Sequence, residues 1–340
     1  MHLDLATGGE LFVARRAGVP ADRLVMHGNT KSGAELAMAL DEGVGRIVVD
    51  SFDELDRLDA IATATGSRPR VLLRITPGVE AHTHEFIATG QDDSKFGFTA
   101  SSGLATAAVE RALASDSVEL VGLHAHIGSQ VFEVGAFARA IEVLIDFAAP
   151  FGLAELSVGG GLGVPYVEGE SAPSITEWAS GIRAVCEAAG VTASVSAEPG
   201  RAIVAAAAIT LYTVGTIKDL QGIRTYVAVD GGMSDNPRPV LYGSGYETFL
   251  PRATAAERSR PVRVVGKHCE SGDLLVREGW VPDDLVVGDV LATPVTGAYG
   301  HAMGSNYNHV LRPAVVFVAD GDARMVVRRE TFEDLVRREV

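Results

Sequence analysis

From residue 3 to residue 198, short apolar runs alternate with longer stretches in which apolar residues return every three or four positions. The runs at 3–6, 24–27, 46–50, 70–75, 119–126, 155–158 and 194–198 are rich in β-branched residues and read as buried strands. The stretches 10–17, 34–40, 52–64, 104–114, 136–147 and 175–188 carry one apolar helical face. Strand, helix, strand in repetition predicts a parallel sheet covered by helices.

The repeat has a measurable period. Asp4, His27, Asp50 and Arg74 follow one another at intervals of 23, 23 and 24 residues, each a polar group in or closing an apolar strand. This predicts a TIM-like (β/α) barrel, an α/β fold whose active-site face is formed by the C-terminal ends of the strands. Any one of these residues also reads as a helix cap or a strand-end charge turned to water. His126, the glycines after Val158 and Glu198 continue the series to seven strand ends, which separate accidents explain poorly. A closed barrel takes eight strands. The expectation is therefore seven, with the first βα unit missing and the barrel open at that place.

After about residue 201 the helical spacing fades. Runs at 209–217, 225–229, 262–266, 285–293, 314–318 and 323–328 read as strands, the last two joined in a hairpin by Asp320-Gly321-Asp322, and 331–339 as a short terminal helix. The chain divides accordingly into a cofactor-binding barrel, 1–205, and a C-terminal all-β domain, 206–340.

Composition narrows the partners. A net charge of −15 leaves no basic surface for nucleic acid or an anionic membrane. Cys186 and Cys269 are far apart with no metal-ligand spacing, so neither a disulfide framework nor a structural zinc site is indicated. The longest apolar run, 202–217, is too short to span a bilayer, and no leader pattern opens the chain. A cytoplasmic location is the expectation.

The chemistry gathers at late strand ends. Gly159-Gly160-Gly161 follows the sixth strand, where barrels commonly bind phosphate, although tight loops also need glycine. His126 and Ser129 stand in His124-Ala125-His126-Ile127-Gly128-Ser129-Gln130, and Glu198 in Glu198-Pro199-Gly200-Arg201. A flat imidazole, a hydroxyl, a glycine loop and a buried carboxylate suit a phosphorylated pyridine such as pyridoxal phosphate. A metal site built on His124 and His126 lacks an evident third ligand. Farther on, Lys267-His268-Cys269-Glu270-Ser271-Gly272-Asp273, Arg238 with Tyr242, and Tyr299 between glycines add a thiol, acids and a carboxylate clamp. Singly, Cys269 reads as an inert buried thiol and Arg238 as a surface charge. Together they point to an amino-acid substrate.

Seven ordered stretches match one family: Leu3-Asp4-Leu5-Ala6-Thr7-Gly8-Gly9-Glu10-Leu11, His27-Gly28-Asn29-Thr30-Lys31-Ser32, His126-Ile127-Gly128-Ser129-Gln130, the Gly159 run, Glu198-Pro199-Gly200-Arg201, Cys269-Glu270-Ser271-Gly272-Asp273 and Gly297-Ala298-Tyr299-Gly300. The chain resembles, over essentially its whole length, the diaminopimelate decarboxylases, fold-type III pyridoxal-phosphate enzymes related to ornithine decarboxylase and alanine racemase. The resemblance implies pyridoxal 5'-phosphate held by His126, Ser129, Gly159, Gly160, Gly161, Glu198, Gly200, Arg201 and Tyr299, with His126 stacked on the ring and Glu198 paired with its nitrogen. It implies substrate binding by Arg201, Arg238, Tyr242, Glu270 and Tyr299, and Cys269 and His126 as catalytic residues, Cys269 returning the proton. It further implies a homodimer with shared active sites, no metal, and decarboxylation of meso-2,6-diaminopimelate to L-lysine and CO2 in lysine biosynthesis.

One departure bears on activity. The family's Schiff-base lysine lies upstream of the stretch that begins here at Leu3, and Lys31, Lys95, Lys218 and Lys267 stand elsewhere. The expectation is a sequence lacking the family's N-terminal segment, with impaired decarboxylation. The alternative is a catalytically inactive homologue or gene fragment that keeps cofactor or dimer binding. A racemase of this group sets an arginine against the ring nitrogen, so Glu198 disfavours it, and ornithine-type substrates end in an amine, with no distal carboxylate for Arg201 and Arg238.

Overall fold

The computed structural model describes residues 1–79 and 90–340. They form two compact units, Met1–Gly163 with Ala172–Gly200, and Val164–Ser171 with Arg201–Val340.

The first unit holds strands β1 (Leu3–Leu5), β2 (Leu24–Met26), β3 (Arg46–Val49), β4 (Arg70–Thr76), β5 (Phe98–Thr99), β6 (Glu119–His124), β7 (Glu155–Gly160) and β8 (Ser194–Glu198). A parallel path of seven runs β1-β2-β3-β4-β6-β7-β8, with the two-residue β5 added beside β4. Among the described residues no pairing joins β1 to β8, so the barrel is open there, as expected. β5 is too short to show an alternation and was not legible in the sequence. The helices are α1 (Gly8–Arg16), α2 (Gly33–Glu42), α3 (Phe52–Thr65), α4 (Leu104–Leu113), α5 (Val134–Ala148) and α6 (Ile175–Ala188). α2 and α6 start in capping boxes, Ser32 with Glu35 and Ser174 with Glu177, which satisfy backbone donors that the first helical turn leaves free.

Val25, Val48, Leu72 and Val121 form one buried layer inside the sheet. Strand side chains alternate, so His27, Asp50 and Arg74, two residues on, face the same way one layer nearer the C-terminal ends. At the opposite ends, Glu155 on β7 takes both Arg46 of β3, at 2.6 and 2.7 Å, and Arg70 of β4, at 2.8 Å. Two polar layers thus occupy opposite ends of the strands, with the apolar layer between them.

The second unit holds a five-stranded sheet of β9 (Ile209–Leu220), β10 (Arg224–Val229), β11 (Arg260–Val265), β12 (Leu274–Val281) and β13 (Val290–Pro294), ordered β12-β11-β10-β9-β13. A separate hairpin joins β14 (Val315–Ala319) to β15 (Asp322–Val327). Two expectations need correction. The sequence pattern misses β12, because Arg277-Glu278-Gly279 interrupts its alternation and its register against β11 shifts twice. The strand read at 285–293 starts only at Val290, because Val286 and Val287 are exposed and Asp289 folds back to accept the Val286 N–H at 2.9 Å. The terminal helix covers only Phe332–Val336.

Candidate active site

Glu198 closes β8 and is held from neighbouring strands. The register sets Arg74 opposite His124 and His124 opposite Ser157. Ser157 donates its hydroxyl to Glu198 Oε1 at 2.7 Å, and His124 Nε2 lies 3.2 Å from Oε2. His27 Nε2 stands 4.0 Å from the same carboxylate and 3.6 Å from Asp4, and the His27 and His124 rings meet edge-on with centroids 5.1 Å apart. Burial alone would raise the Glu198 carboxyl. His124, through its charge and its hydrogen bond, outweighs burial with help from His27 and Ser157, and holds the carboxyl well below the usual range. Glu198 is an anion throughout working pH. Burial drives His124 itself down against the pull of Glu198, yet in either protonation state compatible with the bond Nε2 carries the proton.

His126 follows β6. Its Nδ1 accepts the N–H of Gly160 at 3.1 Å, which fixes the ring plane. Burial, then the charges of Arg74 and His124, push its pKa down to about 3, so the ring is neutral. The glycine run is demanded first by packing. A Cβ on Gly159, Gly160 or Gly161 would fall 2.2, 1.9 or 2.0 Å from the carbonyl oxygens of Ala125, Glu198 and Gly128. The Gly160 N–H, which the sequence reading offers to an anion, is engaged by His126. Ser129 lies in the loop laced to this run through Val131, whose N–H donates to Gly161 O and whose carbonyl takes the Gly163 N–H, both at 3.0 Å.

Sequence reasoning missed Ser157 and set His124 aside. A hydroxyl inside the apolar strand 155–158 was the available signal for the first. His124 does gather with other ligand types, but with His27 and Glu198 and not with His126, the three bringing one ligand atom each within 4.8 Å of one another. The proton on His124 Nε2 already bridges to Glu198, so the trio as it stands is a hydrogen-bonded cluster. Asp50, buried with neither carboxylate oxygen hydrogen-bonded, faces Arg74 at 4.0 Å. Lys31 is buried against Glu54 at 2.8 Å and donates to the carbonyls of Gly28 and Val48, both at 2.6 Å, so its amine is committed.

In the second unit the structure gathers Arg201, Arg238, Tyr242 and Tyr299, and adds Tyr166 and Tyr246, which no motif announced. Arg201 donates to Tyr166 OH at 2.6 Å and lies 4.7 Å over the Tyr299 ring. Arg238 donates to Tyr246 OH at 3.1 Å and Ser244 Oγ at 3.2 Å, and its guanidinium lies 5.2 Å from the Tyr166 ring centroid and 5.4 Å from that of Tyr242. Arg238 is 3% exposed, which corrects its reading as a surface charge. Tyr299 takes a positive φ of 67°, a conformation that a side chain adopts only where its surroundings hold it. Cys269 is exposed, which corrects its reading as a buried thiol. Glu270 accepts the Tyr307 hydroxyl. Among the described residues no helix is long and apolar enough to cross a membrane.

A family model described as the pyridoxal binding domain of pyridoxal-dependent decarboxylases matches residues 1–205. The diaminopimelate decarboxylase of Mycobacterium tuberculosis is 49% identical over 357 residues, covering 99% of this chain and 80% of the relative. That of Bacillus subtilis is 45% identical over 351 residues, covering 99% and 79%. Among solved structures, a diaminopimelate decarboxylase from M. jannaschii superposes with a TM-score of 0.92 at 32% identity, covering 100% of this chain and 79% of that one. The Helicobacter pylori diaminopimelate decarboxylase complexed with L-lysine gives 0.90 at 33%, covering 99% and 83%. On this likeness the chain belongs to the diaminopimelate decarboxylase family of pyridoxal-dependent decarboxylases.

Proposed function

We propose that this chain carries the cofactor and substrate sites for decarboxylation of meso-2,6-diaminopimelate to L-lysine and CO2. The observation that carries the reading is Glu198, an ionised carboxylate fixed by Ser157 and His124 at the strand ends beside the neutral ring of His126. Pyridoxal phosphate fits this donor set: its ring nitrogen needs an anionic acceptor and its face a flat neutral partner. When bound, the protonated pyridine ring supplies an electron sink for the pair released as the carboxylate leaves. Glu198 would hold the proton on that nitrogen, His126 would pack on the ring, and Ser129 with Gly161 would take the phosphate end. Gly160 serves by orienting His126.

Arg201 and Arg238 bind the distal carboxylate among phenols that exclude water, since a guanidinium presents paired donors to a carboxylate. Tyr242 and Tyr299 flatten the pocket around it, Glu270 reads the distal amine, and Cys269 returns a proton to the α-carbon. The exposure of Cys269 and Glu270 suits residues offered to a second copy of the chain in a homodimer. The apolar residues exposed along β14 and β15, Val318 at 73% and Met325 at 61%, supply further surface for one.

The committed amine of Lys31 favours a second, binding-only reading for the 340-residue polypeptide tested alone, with turnover reduced by orders of magnitude. Lysine formation from meso-diaminopimelate and from ornithine, with added pyridoxal phosphate, tests both readings. Slow but Glu198-dependent turnover, preferring diaminopimelate and falling about 10²–10³-fold in Glu198→Gln, is expected. A preference for ornithine, or indifference to Glu198→Gln, refutes the assignment.

A further inference from the structure

The segment 266–273 presents Cys269 and Glu270 at the surface of the second unit, and a buried polar chain holds it there. His268 is 7% exposed, with Nε2 2.9 Å from Ser234 Oγ and Nδ1 3.0 Å from Asn308 Oδ1. Its backbone N–H donates to Asp273 Oδ2 at 2.8 Å, and Asp273 Oδ1 accepts the Met233 N–H at 2.7 Å. The His268 ring lies 5.1 Å from that of Tyr307, whose hydroxyl donates to Glu270. Cys269 is thus covalently next to this imidazole, and Glu270 is tied to the ring beside it.

The two ends of the imidazole have different tasks. An amide oxygen only accepts, so Nδ1 carries the proton and Nε2 accepts from the Ser234 hydroxyl. A serine, a histidine and an amide in this order resemble a nucleophile relay. Ser234, however, is 2% exposed, out of reach of any substrate, so the arrangement holds rather than attacks. Asn308 and His309 both take left-handed backbone, at φ 51° and 53°, which non-glycine residues keep only where their surroundings hold them.

We propose that His268 is a positioning residue: bridged between Ser234 and Asn308, it sets where the Cys269 thiol and the Glu270 carboxylate meet the substrate. The inference rests on the roles given to Cys269 and Glu270 above.

The test uses a Cys186→Ser background, so that iodoacetamide reports Cys269 alone. His268→Phe keeps a ring and loses both hydrogen bonds. His268→Gln keeps an acceptor for Ser234 and a donor for Asn308. Ser234→Ala removes one bond. Each lost bond should loosen the segment, raising the alkylation rate about fivefold in Ser234→Ala and about tenfold or more in His268→Phe, while His268→Gln stays within about twofold of the parent. A merely structural role gives no such rescue. Rates in His268→Phe unchanged within about twofold, or His268→Gln rising as far as His268→Phe, overturn the proposal. If His268→Phe does not fold, Ser234→Ala and His268→Gln decide by the same limits. Lysine formation separates the two layers of inference. Cys269→Ala with undiminished turnover overturns the reading beneath the proposal, whereas impaired Cys269→Ala with unchanged alkylation rates overturns the proposal alone.

Discussion

Lys31 in the barrel and Arg238 in the second unit are both buried cations, and their surroundings differ in kind. Lys31 meets a buried carboxylate, Glu54, and two backbone carbonyls, so charge and hydrogen-bond demand are met inside the fold. Arg238 meets a phenol, a serine hydroxyl and aromatic faces, and among the described residues no carboxylate. A guanidinium tolerates this better than an ammonium, being weakly hydrated and able to lie on rings. Lys31 is satisfied by its own fold, whereas Arg238, facing neutral groups, suits the ligand of opposite sign proposed above.

The largest effect should come from breaking the scaffold pair. Lys31→Met strands Glu54 without a counter-charge and should cost about 3–5 kcal/mol of stability by urea unfolding. A loss under about 1 kcal/mol would mean that the pair holds nothing together. Arg238→Met should do the opposite to the two observables. Stability stays level or rises, while kcat/KM for meso-diaminopimelate falls by about 10²–10³-fold. Arg238→Lys should recover little, because an ammonium lacks the planar fork. A large stability loss in Arg238→Met would move this residue to the scaffold side of the comparison.

The next effect is a pH dependence. His126 in the folded chain titrates near 3, against 6.5 for an ordinary imidazole. Below 6.5 the unfolded chain takes up a proton that the folded chain refuses, so this contribution is harmless above pH 6.5 and destabilising as pH falls towards 3. The slope is at most about 1.4 kcal/mol per pH unit. Buried His124 adds in the same direction. Glu198 and Glu155, whose pKa values are lowered, add their own loss only as pH falls through and below the ordinary carboxylate range. Urea titrations of His126→Phe between pH 6.5 and 5 should therefore show a shallower decline than the parent, and parallel lines would contradict the neutral buried ring. The smallest effect is local. Ser32→Ala should remove the capping box of α2 at a cost of about 1 kcal/mol by thermal unfolding, without altering the Glu198 site.

The sequence by itself determined the repeating units and the residues at their ends. Alternating apolar runs and helical faces are local properties, and the interval from Asp4 through His27 and Asp50 to Arg74 made strand ends visible because each βα unit has nearly the same length. His126, the Gly159 run and Glu198 were legible for the same reason, each lying at or just beyond a strand's end. Only the tertiary structure decided who meets whom. Ser157 and His124 reach Glu198 because parallel register sets them on neighbouring strands, a relation between residues 41 and 74 positions apart that no window of sequence contains. Tyr166, remote in sequence, boxes Arg238 together with the nearby Tyr246, and Asn308 meets His268 from 40 residues away. Burial, too, was decided there: Arg238 is hidden and Cys269 exposed because long-range packing, not residue type, sets what water reaches.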